Sequence, residues 1–135
     1  MIHQARGFTL VEGLIALLVL SIGMLGIAAL YVETLQSGRS AQVRTQAVSI
    51  AADLADRIRA NRVPVDAYTG VGLNARATAD LNEWNALVAA QLPEGDGEIR
   101  FIAGTATTPA SYTIRVSWTE VGRVDPVTYE LRLEI

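Results

Sequence analysis

One long apolar segment near the N-terminus dominates the hydrophobic pattern of the chain. No charged residue occurs from Gly13 to Val32. A helix of that length rises by roughly 30 Å, which is the thickness of the hydrocarbon core of a bilayer. The pattern therefore predicts a transmembrane helix. The carboxylate of Glu12 lies directly before the apolar segment.

Helical periodicity continues beyond this segment. Residues 33–61 contain no proline, so we expect one continuous helix from about residue 9 to residue 62. Its second half carries one apolar stripe at spacings of three and four, which predicts a face that packs on a protein core: Val43, Ala47, Ile50, Leu54 and Ile58. Two pairs of opposite charge are spaced to form ion pairs on the outer face, Asp53 with Arg57 and Asp56 with Arg59.

A connector and a short second helix are predicted next. Proline and glycines interrupt the pattern, which indicates a surface loop over residues 61–78. Asp80, followed three residues later by Glu83, has the spacing of a capping box and predicts the start of a second helix. Pro93 is predicted to end this helix. The apolar face of this helix is predicted to be core, with Trp84 among its residues: Leu81, Trp84, Leu87, Val88 and Leu92.

Three later segments alternate apolar and polar residues, as half-buried antiparallel strands do. They cover residues 98–103, 112–119 and 127–135, and a turn near Gly122 joins the last two as a hairpin. Their apolar faces are predicted to cover the helical stripe. Their polar faces are predicted to pair Arg115 and Arg132 with Glu130 or Glu134.

The composition argues against several classes of function. The chain has 135 residues and a formal net charge of −3, which argues against nucleic-acid binding because such binding favours a basic face. It contains no cysteine, and its one histidine, His3, lies before the apolar segment. No serine stands in a nucleophile motif. We therefore expect no enzymatic activity, no cofactor and no metal.

Charge also predicts orientation. His3 and Arg6 precede the apolar segment and no acidic residue does, so the positive-inside rule places the N-terminus in the cytoplasm and the C-terminal domain outside it. A cleaved secretory signal is the competing interpretation. The apolar run is too long for such a signal, and helical periodicity continues past the nearest small residues, Ala28 and Ala29.

The residues before the apolar segment resemble a known processing site. Gly7-Phe8-Thr9-Leu10-Val11-Glu12 is similar to the class III leader junction of type IV pilins and of the pseudopilins of type II secretion. The resemblance implies that a membrane-embedded prepilin peptidase cuts between Gly7 and Phe8 and methylates the new amino terminus of Phe8. Glycine suits the cut because a protease can approach its backbone closely.

The same resemblance implies a role for Glu12 in assembly. Cleavage would give Phe8 an α-amine that is mostly a cation, and Glu12 lies one helical turn further on. A carboxylate buried among membrane helices needs a partner. In the family, that partner is the amine of a neighbouring subunit, which sets the axial register of each new subunit. The alternative is a carboxylate at the membrane surface, solvated by headgroups.

The fold that the resemblance implies is α+β. It is the type IV pilin fold, in which the first half of a long helix is transmembrane and the second half packs on an antiparallel sheet of about three to four strands. The expected divisions are a leader over residues 1–7, a transmembrane half-helix over 8–32, an amphipathic half-helix over 33–62 and a periplasmic head over 63–135. The mature chain is expected in the bacterial inner membrane and then in the pilus.

A finer resemblance points to the PilV family of minor pilins, the type IV pilus modification proteins. Residues 49–62, which read SIAADLADRIRANR, are similar to the corresponding segment of that family, as are Glu83-Trp84 and residues 112–118. The resemblance implies a subunit of a low-abundance priming complex, with the prepilin peptidase, other minor pilins and the major pilin as partners. A minor pseudopilin of type II secretion and a membrane-anchored periplasmic binding module are the alternatives.

Two local features each keep two interpretations. Residues 94–98, Glu-Gly-Asp-Gly-Glu, form either a calcium-binding loop or, as we favour, a glycine-rich turn between helix and strand. Gly23 and Gly26 either let a partner helix come close or mark a segment that stretches when the helix leaves the bilayer for a filament.

Overall fold

The computed structural model describes residues 9–61, 65–69 and 73–135. Along these ranges the chain divides into two compact units between residues 39 and 40. The α+β class predicted from the sequence is confirmed. The elements in chain order are helix α1 (Leu10–Ala60), helix α2 (Ala75–Gln91) and strands β1 (Asp96–Ile102), β2 (Ser111–Trp118) and β3 (Val127–Glu134).

The first unit is helical from Leu10 onwards, and within its described residues no large apolar side chain is buried. Those between Leu10 and Leu35 are 52% to 81% exposed. The hydroxyl groups of Ser21 and Thr34 donate to carbonyls one turn earlier in the same helix, at 2.7 and 2.9 Å. Polar groups of this kind are therefore satisfied inside the helix, while its apolar surface requires cover from outside.

The second unit begins at Ser40 and contains the core. Here α1 buries the predicted stripe, although Val43 is only partly covered. Three of the buried positions are alanines. The buried residues of α1 are Ala47, Ile50, Ala51, Leu54, Ala55 and Ile58.

The three strands form one antiparallel sheet in the order β1-β2-β3. The register aligns apolar residues in rows across the sheet, for example Ile99, Ile114 and Leu131. The central strand β2 is the most deeply covered, because its apolar positions are buried between two neighbouring strands and the helices. The predicted alternation of all three strands is confirmed.

The polar face of the sheet carries a three-residue charge ladder. Arg115 contacts Glu98 and Glu130, each at 2.7 Å, on the strands to either side. The predicted pairing of Arg115 with Glu130 is thus confirmed. The predicted pairing of Arg132 is not formed, since no ion pair within the described ranges includes it. These side chains are exposed, so the ladder adds little stability.

Helix α2 joins α1 and the sheet through one aromatic side chain. Trp84 is 1% exposed, and its indole N–H donates to the carbonyl of Ile50 at 3.0 Å. The ring lies against Gly97 of β1, where a Cβ atom would be only 2.5 Å from the Trp84 ring carbons. The prediction that Trp84 belongs to the core is confirmed, and a glycine is needed beneath it.

The predicted start of α2 was wrong. The helix begins at Ala75, so the expected connector ends earlier than residue 78. The N-cap is Asn74, whose side-chain oxygen accepts the N–H of Ala77 at 2.9 Å. Asp80, expected to be the cap, lies inside the helix and accepts a hydrogen bond from the hydroxyl of Tyr68 at 2.6 Å. Asn74 is a favoured N-cap residue, and the three residues after it favour a helix. These two signals decided the helix start over the Asp-x-x-Glu spacing of Asp80 and Glu83.

The loop between β2 and β3 is held against α1 by a bidentate ion pair. Arg44 donates to both carboxylate oxygens of Glu120, at 2.9 and 3.0 Å, and the Glu120 side chain is only 10% exposed. The indole of Trp118 donates to the same carboxylate at 3.3 Å. A turn follows, in which Gly122 has a φ of +85°, a backbone conformation that favours glycine. The predicted turn near Gly122 is confirmed.

Replacing Gly97 with alanine should destabilise the second unit by about 1–3 kcal/mol, because the new methyl group overlaps the Trp84 ring. The measurement is urea unfolding of the detergent-solubilised chain, followed by circular dichroism. Gly38→Ala is the matched control, since a Cβ there meets open space. Equal unfolding midpoints for the two variants would contradict the packing described.

Removing the charge of Glu120 should change how stability responds to acid. The guanidinium of Arg44 holds the pKa of Glu120 at about 2, below its usual value of 4.5. A carboxylate with a depressed folded-state pKa stabilises the fold above its unfolded pKa, and this stabilisation is lost as the pH falls through the folded pKa. The Glu120 contribution should therefore be complete above about pH 4.5 and gone below about pH 2.

Urea midpoints measured across that interval should fall less steeply for Glu120→Gln than for the unmodified chain. Glu134→Gln, at an exposed position of β3, should keep the original acid dependence. If Glu120→Gln follows the unmodified chain at every pH, the ion pair with Arg44 does not stabilise the fold.

Candidate assembly site at the N-terminus of helix α1

Thr9 forms the N-terminal cap of α1. Its carbonyl accepts the N–H groups of Glu12 and Gly13 at 3.0 and 3.2 Å. Its hydroxyl oxygen also accepts the N–H of Glu12, at 3.3 Å. Threonine is a favoured residue at this position because its side-chain oxygen satisfies a helix N–H that has no partner within the helix. The helix start is therefore encoded locally.

Glu12 lies in the first turn of α1, three residues after the cap. The N-terminus of a helix carries a partial positive charge, which favours a carboxylate there. The side chain of Glu12 is exposed, and no ion pair involves it within the described ranges. The structure thus offers an exposed carboxylate in the first turn of an apolar helix.

The other two predicted site residues, Gly7 and Phe8, lie outside the described residues. Their cleavage and methylation therefore stay predictions. The spacing that places Glu12 one turn after Phe8 is a property of the sequence and of helix geometry alone.

Helix α1 is the one candidate membrane span in the described ranges, judged by length and composition. None of its most apolar window is buried within the chain, which separates it from the core helix of a soluble protein. Gly23 and Gly26 lie in this part of α1, and a Cβ at either position meets no atom within 4 Å. Both glycine interpretations therefore stay open.

An arginine within residues 49–62 holds two helices of the second unit together. The guanidinium of Arg57 contacts Asp53 at 2.9 Å, Glu83 at 2.6 Å and Asp80 at 3.6 Å. The hydrogen bond from Arg57 lowers the pKa of Glu83. Arg57 thus joins α1 to α2, and the predicted pair with Asp53 is confirmed. The predicted pair of Asp56 with Arg59 is also formed, at 2.7 Å.

Two tyrosines extend this network into the connector. The hydroxyl of Tyr68 contacts Asp80 at 2.6 Å and the carbonyl of Arg57 at 3.0 Å. Burial, reinforced by the hydrogen bond to Asp80, raises the pKa of Tyr68 to about 12, so the hydroxyl stays protonated and donates. The hydroxyl of Tyr112 donates to the carbonyl of Val65 at 2.9 Å. The connector is therefore tied to the end of α1 and to β2.

The acidic turn at residues 94–98 connects α2 with β1. Within the described ranges no group of three or more His, Cys, Asp or Glu residues is placed to hold a metal ion. The carboxylate of Glu98 is already occupied by Arg100 and Arg115, at 3.2 and 2.7 Å. Glu94 has a φ of +49°, as expected of a tight turn between helix and strand.

Sequence reasoning missed the cap at Thr9 and the partners of Arg44. Thr9, three residues before Glu12, has the spacing of a capping box, so this signal was available in the sequence. No local signal connects Arg44 with Glu120, because 76 positions separate them. Only the packing of the sheet on α1 brings these two residues together.

The exposed apolar half of α1 fits a membrane anchor, and a small α+β unit follows it in the chain. The family described as the prokaryotic N-terminal methylation motif matches residues 2–28. The family described as type IV pilin Tt1218 matches residues 29–86. The two matches adjoin, and the chain belongs to the type IV pilin family. No curated protein and no solved structure matches it.

Membership in this family supports a role as a pilin, a structural subunit that assembles with other pilins. The long apolar helix fits both membrane anchoring and a place in a pilus.

Proposed function

We propose that this pilin is a minor pilin that helps to initiate type IV pili, as a subunit of a priming or tip complex. The observation that carries the proposal is an apolar half-helix that the described residues leave exposed, with one carboxylate in its first turn. The minor-pilin assignment rests on residues 49–62, in which Arg57 connects α1 with α2.

The proposed processing creates the partner that Glu12 lacks. Cleavage after Gly7 leaves an α-amine on Phe8, and methylation keeps this amine basic. In a filament the amine of one subunit pairs with the Glu12 carboxylate of its neighbour, in a medium of low dielectric constant. A subunit docked out of register would leave both charges unpaired in an apolar environment, at a cost of several kcal/mol. The ion pair therefore selects one axial position.

A priming role follows from the difference between the first subunit and later ones. A subunit that joins an existing filament finds apolar helices on several sides, whereas the first subunits find none. A complex of minor pilins supplies these missing neighbours and lowers the barrier to starting a filament. Removing such a subunit reduces the number of pili rather than altering the pilus shaft.

The topology proposed for the chain follows from its charges. The leader, residues 1–7, lies in the cytoplasm; residues 8–32 cross the inner membrane; and the head lies in the periplasm. The amphipathic half-helix, residues 33–62, connects the two. The chain carries out no covalent chemistry in this scheme.

Glu12→Gln should abolish or sharply reduce assembly, because glutamine keeps the shape of the side chain but cannot neutralise an ammonium group. The measurement is the number of surface pili by electron microscopy, in a strain whose copy of this gene carries the variant. Glu33→Gln is the matched control, since it removes one carboxylate from the same helix beyond the apolar segment. Unchanged pilus number for Glu12→Gln would refute the proposed pairing.

Deletion of the gene tests whether the protein acts as a minor pilin in pilus initiation. Deletion of the gene should lower the number of pili while the remaining pili keep normal thickness. Normal piliation together with a defect in protein secretion would instead indicate a minor pseudopilin.

Gly7→Val should block processing, because a branched side chain prevents the peptidase from approaching the backbone at the cut. Mass spectrometry of the purified chain should show that the protein with Gly7 has lost residues 1–7 and gained one methyl group. The Gly7→Val variant should keep its full length. Ala5→Val, two residues before the cut, should still be processed. A full-length unmodified chain in cells with an active peptidase would contradict the scheme.

A further inference from the structure

Strand β3 forms one edge of the sheet, and only one of its two sides is paired. Within the described ranges the sheet order ends at β3, so no strand lies beyond it. Proteins protect such edges with proline, a bulge, lysine or a very short strand. β3 has eight residues and a continuous register with β2, and it contains no proline, glycine or lysine. Its outer edge is therefore open to pairing with another strand.

The backbone groups at this edge can be assigned from one hydrogen bond. The N–H of Ile135 donates to the carbonyl of Ala110 at 3.0 Å, in line with the register of β2 and β3. Backbone groups of successive residues in a strand point to opposite sides, so every second residue before Ile135 also faces β2. The residues between them direct their N–H and C=O groups to the open edge, and their side chains are exposed: Thr128, Glu130, Arg132 and Glu134.

The apolar side chains of β3 are less covered than those of its neighbour. The apolar side chains of β2 are buried, whereas Val127, Tyr129 and Leu131 of β3 are only partly buried. These three residues lie on the face that packs against the core, beside the open edge. A further strand at this edge would continue the apolar rows of the sheet and cover them.

We propose that the open edge of β3 pairs with β3 of a second copy of the chain, in the antiparallel sense, about a two-fold axis at Leu131. In this register Leu131 lies opposite the second copy's Leu131, and Glu130 lies opposite the second copy's Arg132. The residues whose backbone groups face the open edge then exchange hydrogen bonds with one another. The apolar faces of both strands stay on the same side, so one sheet continues across the two copies.

The charges on the polar face of the sheet are self-complementary in this register. The row across the sheet that ends at Glu130 contains two carboxylates and one guanidinium group. The next row, which ends at Arg132, contains two guanidinium groups and no carboxylate. The proposed axis joins the end of each negative row to the end of a positive row. Arg132, which has no ion pair within the described part of the chain, would gain one in each copy.

The two nearest registers lack this match. An axis at Arg132 places that residue opposite itself and Glu130 opposite Glu134. An axis at Glu130 places its carboxylate opposite itself. Like charges directly opposite each other across a strand pair are destabilising. An axis at Leu133 also matches opposite charges, but it pairs only the last residues of the strand, whereas the axis at Leu131 pairs the whole of β3.

The proposed pair is distinct from the contacts of the proposed filament. Its axis is perpendicular to the sheet, so the parts of α1 that pack on the two sheets, residues 40–60, run in opposite directions. In the proposed filament all subunits point the same way, because each Glu12 meets the amine of the next subunit. The pair is therefore a state of the chain outside the filament, and the two copies must separate before they assemble.

Disulfide cross-linking tests the register, since the chain has no cysteine of its own. Residues opposite each other at a position without ladder hydrogen bonds have Cα atoms about 4.5 Å apart, within reach of a disulfide. The full chain carrying Leu131→Cys, in detergent, should therefore form a disulfide-linked dimer on mild oxidation. Tyr129→Cys is the matched control, because it lies on the same face of β3 but about 14 Å from its counterpart. It should form no linked dimer.

Each result of this comparison decides the proposal. Equal yields for the two variants would show that the copies only collide, and no linked dimer of folded Leu131→Cys would show that the edge stays free. Either result would overturn the pairing. If circular dichroism shows that Leu131→Cys is unfolded, a mixture of Glu130→Cys and Arg132→Cys chains replaces it, since both positions are exposed. These two chains should link to each other and neither should link to itself.

Charge reversal in the Leu131→Cys chain tests the proposed ion pairs. Arg132→Glu alone and Glu130→Lys alone should each abolish the linked dimer, because each places like charges opposite each other. A mixture of the two variants should restore it, because every charge then meets its opposite on the other chain. Recovery in the mixture also shows that both variants are folded. Unchanged linking in either variant alone, or no recovery in the mixture, would overturn the proposed register.

Discussion

Between Leu10 and Leu35, α1 presents large apolar side chains in every direction, and no described residue of its compact unit covers them. Water is an unfavourable environment for such a surface, so it must lie against lipid or against helices of other chains. From Ser40 onwards the same helix buries only one stripe and leaves its other faces polar. One continuous helix is therefore built for two environments, and the protein's membrane anchoring and its assembly as a pilin both follow from this division.

Apolar burial alone cannot define where one such helix stops beside another, because it is non-directional and changes little with a shift along the axis. A charge in an apolar medium behaves in the opposite way, since its energy depends steeply on the distance to a partner. Glu12 supplies that dependence in the proposed assembly. Its position in the first turn, after the cap at Thr9, also gives the carboxylate the favourable field of its own helix while it has no partner.

The head is fixed to α1 by two arginines, one near each end of the buried stripe. Arg44 binds the loop after β2 through an ion pair with Glu120. Arg57 binds α2 through ion pairs with Glu83 and Asp80. The apolar core lies between them. Such partly buried ion pairs add less net stability than their Coulomb energy suggests, because both charges lose water. Their main effect is to specify which loop and which helix pack where.

The sequence by itself determined the elements whose signals are local: the apolar helix, the stripe from Ala47 to Ile58, the strand alternation and the position of Glu12. Periodicity encodes these features because helices and strands expose their faces at fixed intervals. Periodicity did not determine the start of α2. Asn74 caps this helix, and Asp80 instead accepts a hydrogen bond from Tyr68. Tertiary structure also decided the partner of Arg44. Contacts between residues far apart in the chain depend on how the sheet packs on the helix, and no local spacing carries that information.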